Sequence, residues 1–220
     1  MCRASILTGR YPHNTGTYEN TVPYGCASQS WRDKNEPRTI GAILSANGYR
    51  TGFFGKYLNM YALPPSGVGP EHVPLGWTRW FGLVGNSVYY NYDISNDGKR
   101  EHHGADYATD YLPDLVKNES VKFIQDASDL PFFMYIAPPA PHRPATPAPQ
   151  YNAAFAGKPA PRTPSYGYKG SDKHWLISTG EYMHTHVVWD CSKGVQSFQG
   201  FWFCLHIAHC NHWWNYRFGT

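Results

Sequence analysis

Hydrophobic positions in this chain fall into short groups separated by polar, glycine-rich or proline-rich stretches, and their spacing predicts alternating helices and strands. Arg3 to Arg10 predicts a short helix or helical turn, with Ile6 and Leu7 of the buried type and Gly9 as its stop. Tyr11 to Asn35 is rich in Gly, Asn, Thr and Ser and predicts a loop. Between Thr39 and Asn47 the apolar residues Ile40, Ile43 and Leu44 recur at helical spacing, which predicts a helix burying those three and stopping at Gly48. Tyr49 to Phe54 is β-prone and predicts a strand ending at Gly55-Lys56. A helix followed at once by a strand is the rhythm of an α/β layer fold.

Pro64 to Asp97 shows no clear period and carries Trp77, Trp80, Tyr89, Tyr90 and Tyr92. These aromatic residues read as core and loop packing rather than as a sugar platform. Asp106 to Ile124 has a helical pattern through Tyr107, Tyr111, Leu115 and Phe123, with Pro113 a kink or boundary. Leu130 to Ala137 is almost continuously apolar, the pattern of a strand buried on both faces of a parallel sheet. It stops at Pro138-Pro139-Ala140-Pro141-His142-Arg143-Pro144, and the segment from Pro138 to Pro164 reads as an extended loop. Ligands of open α/β sheets collect beyond the carboxyl ends of strands, which singles out His142 and Lys56. After about Thr185 the chain shows neither a helical nor a strand period, and no internal repeat is present.

Composition narrows the class. With 220 residues, 41% of them hydrophobic, the chain has enough material for one α/β domain or part of a larger one. Aromatic and charged residues each make up 16%, a balance that suits sticky, sugar-stacking surfaces. A net charge of +3 is too small to argue for nucleic acid, and is compatible with an anionic substrate. No apolar run has the length of a membrane span, and the N-terminus has no signal-peptide pattern. The 5 cysteines are an odd number without regular spacing, so no disulfide framework can be read. Asn118-Glu119-Ser120 is a glycosylation sequon, which makes Asn118 a candidate glycan site on a secretory route.

The run Arg3-Ala4-Ser5-Ile6-Leu7-Thr8-Gly9-Arg10-Tyr11-Pro12-His13-Asn14 resembles the second half of the sulfatase signature, in which a Cys-x-Pro-Ser-Arg stretch precedes a Leu-Thr-Gly run. Further stretches resemble the family in the same order. They are Phe53-Phe54-Gly55-Lys56-Tyr57-Leu58-Asn59, Glu71-His72-Val73-Pro74-Leu75-Gly76-Trp77, Tyr89-Tyr90-Asn91-Tyr92 and Pro131-Phe132-Phe133-Met134. Ala140-Pro141-His142, Ala148-Pro149-Gln150-Tyr151 and Lys173-His174-Trp175-Leu176-Ile177 follow. Collinear matches from Arg3 to about Tyr182 are far more specific than any one of them. Within the family they resemble the N-acetylglucosamine-6-sulfatases, with extracellular heparan endosulfatases as near relatives.

The resemblance implies a partial alkaline-phosphatase-like three-layer α/β sandwich with a mixed central sheet, over residues 1–184, and a divergent tail over 185–220. It implies a sulfuric ester hydrolase that removes 6-sulfate from N-acetylglucosamine in glycosaminoglycans, lysosomal or secreted. Such hydrolysis builds charge on the sulfuryl and leaving oxygens, so cations and fixed donors aimed there lower the barrier. By resemblance Arg3 is the signature arginine that holds the family's formylglycine nucleophile, and Lys56 and His142 contact the sulfate. Lys173 and His174 lie in a segment of the glucosamine-sulfatase branch and are candidates for binding substrate. The family uses calcium, and the full-length parent would need a formylglycine-generating enzyme. The departures carry equal weight. The place of the nucleophile lies ahead of Met1, Cys2 stands where the signature has Ser, and neither the aspartates nor the Asp-Asn pair that bind metal in the family are recognisable. The expectation is therefore a truncated, inactive sulfatase with no metal ligands of its own. Two alternatives stay open: a non-catalytic module that binds sulfated sugar, and a small zinc-binding protein using Cys204, His206, His209, Cys210 and His212.

Overall fold

The computed structural model describes residues 2–126 and 129–154, together with Ala156, Pro164 and Asp172. The described residues fall into two units, the first ending at Ala140 and the second beginning at Pro141. In the first unit the helices are α1 (Cys2–Thr8), α2 (Pro12–Thr15), α3 (Gln29–Lys34), α4 (Ile40–Ala46), α5 (Tyr107–Asp110) and α6 (Leu112–Gln125). The strands are β1 (Arg50–Lys56), β2 (Arg79–Leu83), β3 (Tyr92–Asn96), β4 (Lys99–His103) and β5 (Phe132–Ala137).

They form one mixed sheet in the order β4-β3-β2-β1-β5. The central strand β1 runs parallel to both β2 and β5, while β2, β3 and β4 pair antiparallel. Adjacent residues of β1 point to opposite faces, so Phe53 and Phe54 enter different cores. Phe53 packs with Ala4 and Leu7 of α1, Trp31 of α3, Tyr57 and Trp80. Phe54 packs with Phe81, Ile94 and the α6 residues Leu112, Val116 and Phe123. Helices on both faces of a mixed sheet give the three layers expected. Each layer is closed by whole side chains, since Phe53, Phe54, Trp80, Leu83 and Leu112 are all fully buried.

Helix and strand positions follow local chemistry. Helix α1 closes with the Gly9 amide donating to the Ser5 carbonyl at 2.8 Å. The Thr39 hydroxyl caps α4 by accepting from the Ala42 amide, and Asn47 ends that helix. The helical stretch after Asp106 breaks at Tyr111, and Pro113 occupies the first turn of α6, where its missing N–H costs nothing.

Five expectations need correction. Helix α1 buries Ala4 and Leu7, while Ile6 is 61% exposed. The stretch from Tyr11 to Asn35 is not all loop: Ser28 accepts from the Trp31 amide and starts α3, which buries Trp31. The stretch from Pro64 to Asp97 contains β2 and β3. Helix α4 exists as expected, but it buries Gly41 rather than an Ile40–Ile43–Leu44 face, and Ile43 is exposed. The indole of Trp77 lies where a side chain at position 41 would stand, with ring atoms 2.7 Å from an ideal Cβ, so packing against the aromatic ring overrode hydrophobic spacing. Finally, β5 is parallel but not buried on both faces. It lies at the end of the described sheet, with Phe132 and Ile136 each 51% exposed.

The second unit opens with a turn in which the Ala145 amide donates to the His142 carbonyl at 2.8 Å, followed by a short helical turn over Pro149–Tyr151. Its described part has no strand, as the proline content requires.

Candidate functional site

Lys56 is the last residue of β1 and Arg3 stands in the first turn of α1. The preceding Gly55 has φ +110°, and a Cβ there would lie 2.1 Å from the Ala137 carbonyl oxygen of β5. Glycine is therefore required to bring the two strand ends so close. By strict alternation Lys56 would share the α6 face with Phe54. The turn at Gly55 breaks the alternation, and Lys56 feels Arg3 and Cys26, residues of the other face.

Arg3 Nη1 donates to the Tyr57 carbonyl at 2.6 Å, and the guanidinium also bonds the Tyr135 side chain. Burial lowers its pKa, and Tyr135 acts in the opposite direction. Lys56 is 5% exposed, and its ammonium donates to Asn86 Oδ1, in the loop between β2 and β3. Burial, reinforced by the charge of Arg3, brings the Lys56 pKa down from its ordinary 10.5 to about 7, with Cys26 opposing. Cys26 is buried, its thiol donates to the Asn59 carbonyl at 3.3 Å, and burial pushes its pKa up. Among the described residues, neither Arg3 nor Lys56 forms an ion pair with a carboxylate.

Aromatic side chains hold this end of the sheet rigid. Trp31 Nε1 donates to the Tyr57 hydroxyl at 3.0 Å, and Trp80 Nε1 donates to the Tyr61 hydroxyl at 3.0 Å. The Tyr61 hydroxyl in turn donates to the His72 carbonyl. Burial raises the Tyr57 phenol well above its usual range, so it stays a neutral hydrogen-bonding group. His72 Nε2 meets both carboxylate oxygens of the buried Glu36 at 3.1 Å, which ties this wall to α4 through its preceding turn.

The structure thus brings together two of the residues singled out in the sequence, Arg3 and Lys56. His142 belongs to the second unit, where its Nδ1 lies 2.8 Å from the Arg143 carbonyl and must be the protonated nitrogen of that bond. Lys173, His174 and the Cys204–His212 cluster lie outside the described residues. Asn118 is exposed on α6, while the Ser120 hydroxyl of the same sequon is buried and donates to the Val116 carbonyl at 2.7 Å. Two residues that bear on Lys56 were not foreseen. Asn86 sits in Gly85-Asn86-Ser87, a run that signals only a turn. Cys26 carried no spacing pattern at all.

No group of three or more His, Cys, Asp or Glu among the described residues could hold a metal ion. The described residues thus offer no donor set that fits the calcium used by the family. Among the described residues no helix is long and apolar enough to cross a membrane.

The sulfatase family model matches residues 2–199, and the chain belongs to the sulfatase family. Human N-acetylglucosamine-6-sulfatase is 52% identical over 177 residues, covering 80% of this chain and 32% of that protein. The extracellular sulfatase SULF-1 homolog of Drosophila melanogaster is 40% identical over 191 residues, covering 83% of this chain and 16% of its own length. The chain thus spans about a third of the human relative or less of the others. Among solved structures, BT4656 in complex with its substrate D-glucosamine-2-N,6-O-disulfate is similar, with a TM-score of 0.54 at 27% identity, covering 74% of this chain and 29% of that one.

Proposed function

We propose that the first unit carries the sulfate-holding end of a sulfuric ester hydrolase that acts on the 6-sulfate of N-acetylglucosamine in glycosaminoglycans, in a lysosomal or extracellular setting. One observation carries the reading: Arg3 and Lys56 are close enough for each charge to bear on the other, lie at a strand end, and have no carboxylate partner among the described residues. Two cations held together without an anion repel each other and await one. A sulfate ester supplies a negative group whose oxygens can meet the planar fork of arginine and the point charge of lysine. As the S–O bond to the sugar oxygen breaks, charge grows on both oxygens, and pre-placed donors lower that barrier without having to reorganise.

The identity of the sugar comes from the relatives, one named for N-acetylglucosamine-6-sulfate and one solved with a 6-O-sulfated glucosamine. His142, Lys173 and His174 are proposed, on the resemblance alone, as further substrate-binding residues. The described residues supply recognition rather than the attacking group. Cys26 is buried, kept as a thiol, and followed by Ala27-Ser28-Gln29 instead of the signature residues. The chain on its own is therefore expected to bind and not to turn over.

The experiment is calorimetric titration of the purified chain with N-acetylglucosamine 6-sulfate and with unsulfated N-acetylglucosamine. The sulfated sugar should bind, the unsulfated one should bind at least tenfold more weakly, and Lys56→Met should remove most of the difference, as loss of a charge-assisted hydrogen bond of roughly 1.5–3 kcal/mol requires. Equal affinity for both sugars would overturn the reading. Turnover of an aryl sulfate by the chain, supplied with calcium and a formylglycine-generating enzyme and abolished by Lys56→Ala, would overturn the recognition-only role.

A further inference from the structure

Tyr135 of β5 is the register partner of Phe53 of β1, as Ala137 is of Gly55, the residue before Lys56. Its ring stacks on Phe53 at 5.2 Å with an interplanar angle of 10°. Phe53 is fully buried and itself stacked on Trp80 at 4.7 Å, so the Tyr135 ring rests on a fixed platform. The side chain is half-buried, with its hydroxyl bonded to the guanidinium of Arg3, whose Nη1 is taken by the Tyr57 carbonyl at 2.6 Å. A guanidinium has only donors, so the phenol oxygen is the acceptor of its bond with Arg3. The O–H of Tyr135 is left to be given, and no acceptor for it is found among the described residues. Burial raises the Tyr135 pKa and Arg3 works against the rise, so the phenol keeps its proton at neutral and acid pH.

We propose that the Tyr135 hydroxyl is a third anion-binding group beside Arg3 and Lys56, accepting from Arg3 and donating its own proton to a terminal oxygen of the sulfate ester. The inference rests on the sulfate-site reading above and adds a binding residue to it. A sulfate monoester presents several terminal oxygens but a single negative charge. Arg3 and Lys56 answer the charge, and a neutral donor meets a further oxygen without adding another repelling cation to a buried pair. A phenol that accepts from a guanidinium is polarised by it, which strengthens the hydrogen bond that the phenol gives. The ring is already held by its stack on Phe53, so little side-chain freedom is lost when the anion arrives.

The test is calorimetric titration at pH 6 of the full chain and two variants with N-acetylglucosamine 6-sulfate. Tyr135→Phe keeps the stacked ring and removes only the hydroxyl. Its affinity should fall roughly tenfold or more, the worth of a hydrogen bond to a charged group, with a urea melt to confirm that the variant folds. Tyr135→3-fluorotyrosine keeps the hydroxyl and makes it a stronger donor and a weaker acceptor, so it decides the matter even where Tyr135→Phe loses stability. Donation to the sulfate predicts tighter binding by the fluorinated chain, whereas a hydroxyl that only holds Arg3 predicts weaker binding. Unchanged affinity in folded Tyr135→Phe, or binding no tighter in the fluorinated chain, overturns the proposal while the sulfate site stands. An unaltered chain that binds neither the sulfated sugar nor inorganic sulfate overturns both.

Discussion

Lys56 is where sequence, fold and chemistry meet in one side chain. Its amine is buried, so its pKa lies at about 7 instead of 10.5. The sign follows from proton counting. Between pH 7 and 10.5 the unfolded chain holds a proton that the folded chain has released, so stability of the ligand-free protein rises with pH across that window. Below pH 7 both states are protonated and the penalty of the buried charge is fully present. A bound sulfate ester favours the ammonium form, so binding should take up a proton and tighten as pH falls through 7. Arg3 remains charged, and the Cys26 and Tyr135 groups near the cations are pushed away from this range, so among the groups around Arg3 it is Lys56 that shapes the profile. Affinity for N-acetylglucosamine 6-sulfate should be about tenfold weaker at pH 8 than at pH 6, as titration of one required proton near pH 7 dictates. A flat profile in the unaltered chain would show that the lysine is not part of the anion site, and Lys56→Met should flatten it. Lys56 and Arg3 were singled out in the sequence by the strand-end position and the motif. Asn86 was not, because a turn residue reveals nothing about the side chain it will face across a sheet.

At the scale of elements, what could be read were the segments whose own spacing decides their state. Helix α1, helix α4, the break before α6 and strand β1 all carry local signals: a cap, a glycine stop, a proline in the first turn. Strand β2 was hidden because Trp80 and Phe81 put aromatic residues on both of its faces, which erases the alternation of a half-exposed strand, whereas β3 does alternate through Tyr92-Asp93-Ile94-Ser95 and lay unread inside an otherwise irregular stretch. The turn between β3 and β4 did have a signal that was not used. Asp97-Gly98 joins them with Asn96 paired to Lys99, and both turn residues have positive φ, the conformation for which an Asp-Gly pair is favoured in two-residue hairpins. The exposure of β5 depends on what stands beside it in the sheet, a fact no local pattern contains. Gly55 ties element to site. Because a methyl group there would meet the Ala137 carbonyl, Gly55→Ala should part the ends of β1 and β5. The expected loss is on the order of 2–3 kcal/mol or more, read as a lower urea midpoint, together with weaker sulfate binding. An unchanged midpoint would show that the close approach is not needed.

For the first unit as a whole, the decisive feature is that its two cores share one strand. Phe53 belongs to the core that surrounds Trp31, Tyr57 and Trp80, and Phe54 to the core under α6, yet the two residues are neighbours in β1. Phe53 stacks on Trp80 at 4.7 Å and on Tyr135 at 5.2 Å, while Phe54 meets Phe123 edge-on at 5.7 Å. If α6 came away, β1 would lose the packing of one face, and its pairing with β2 and β5 would weaken for the other face too. Lys56 is the last residue of this same strand, so its position depends on the packing of α6 as well. The unit should therefore open as one cooperative block rather than face by face. Phe54→Leu, a swap that keeps most of the volume, should cost about 1–1.5 kcal/mol. Native-state hydrogen exchange provides the measurement, because it reads α6 and β1 separately from α1 and α4. A cooperative unit requires the slowest amides on both faces to exchange faster by the same factor, roughly tenfold, in Phe54→Leu. Acceleration confined to α6, with the slowest α1 and α4 amides unchanged, would mean that the two layers open independently and that the face bearing Arg3 keeps its shape without its counterpart.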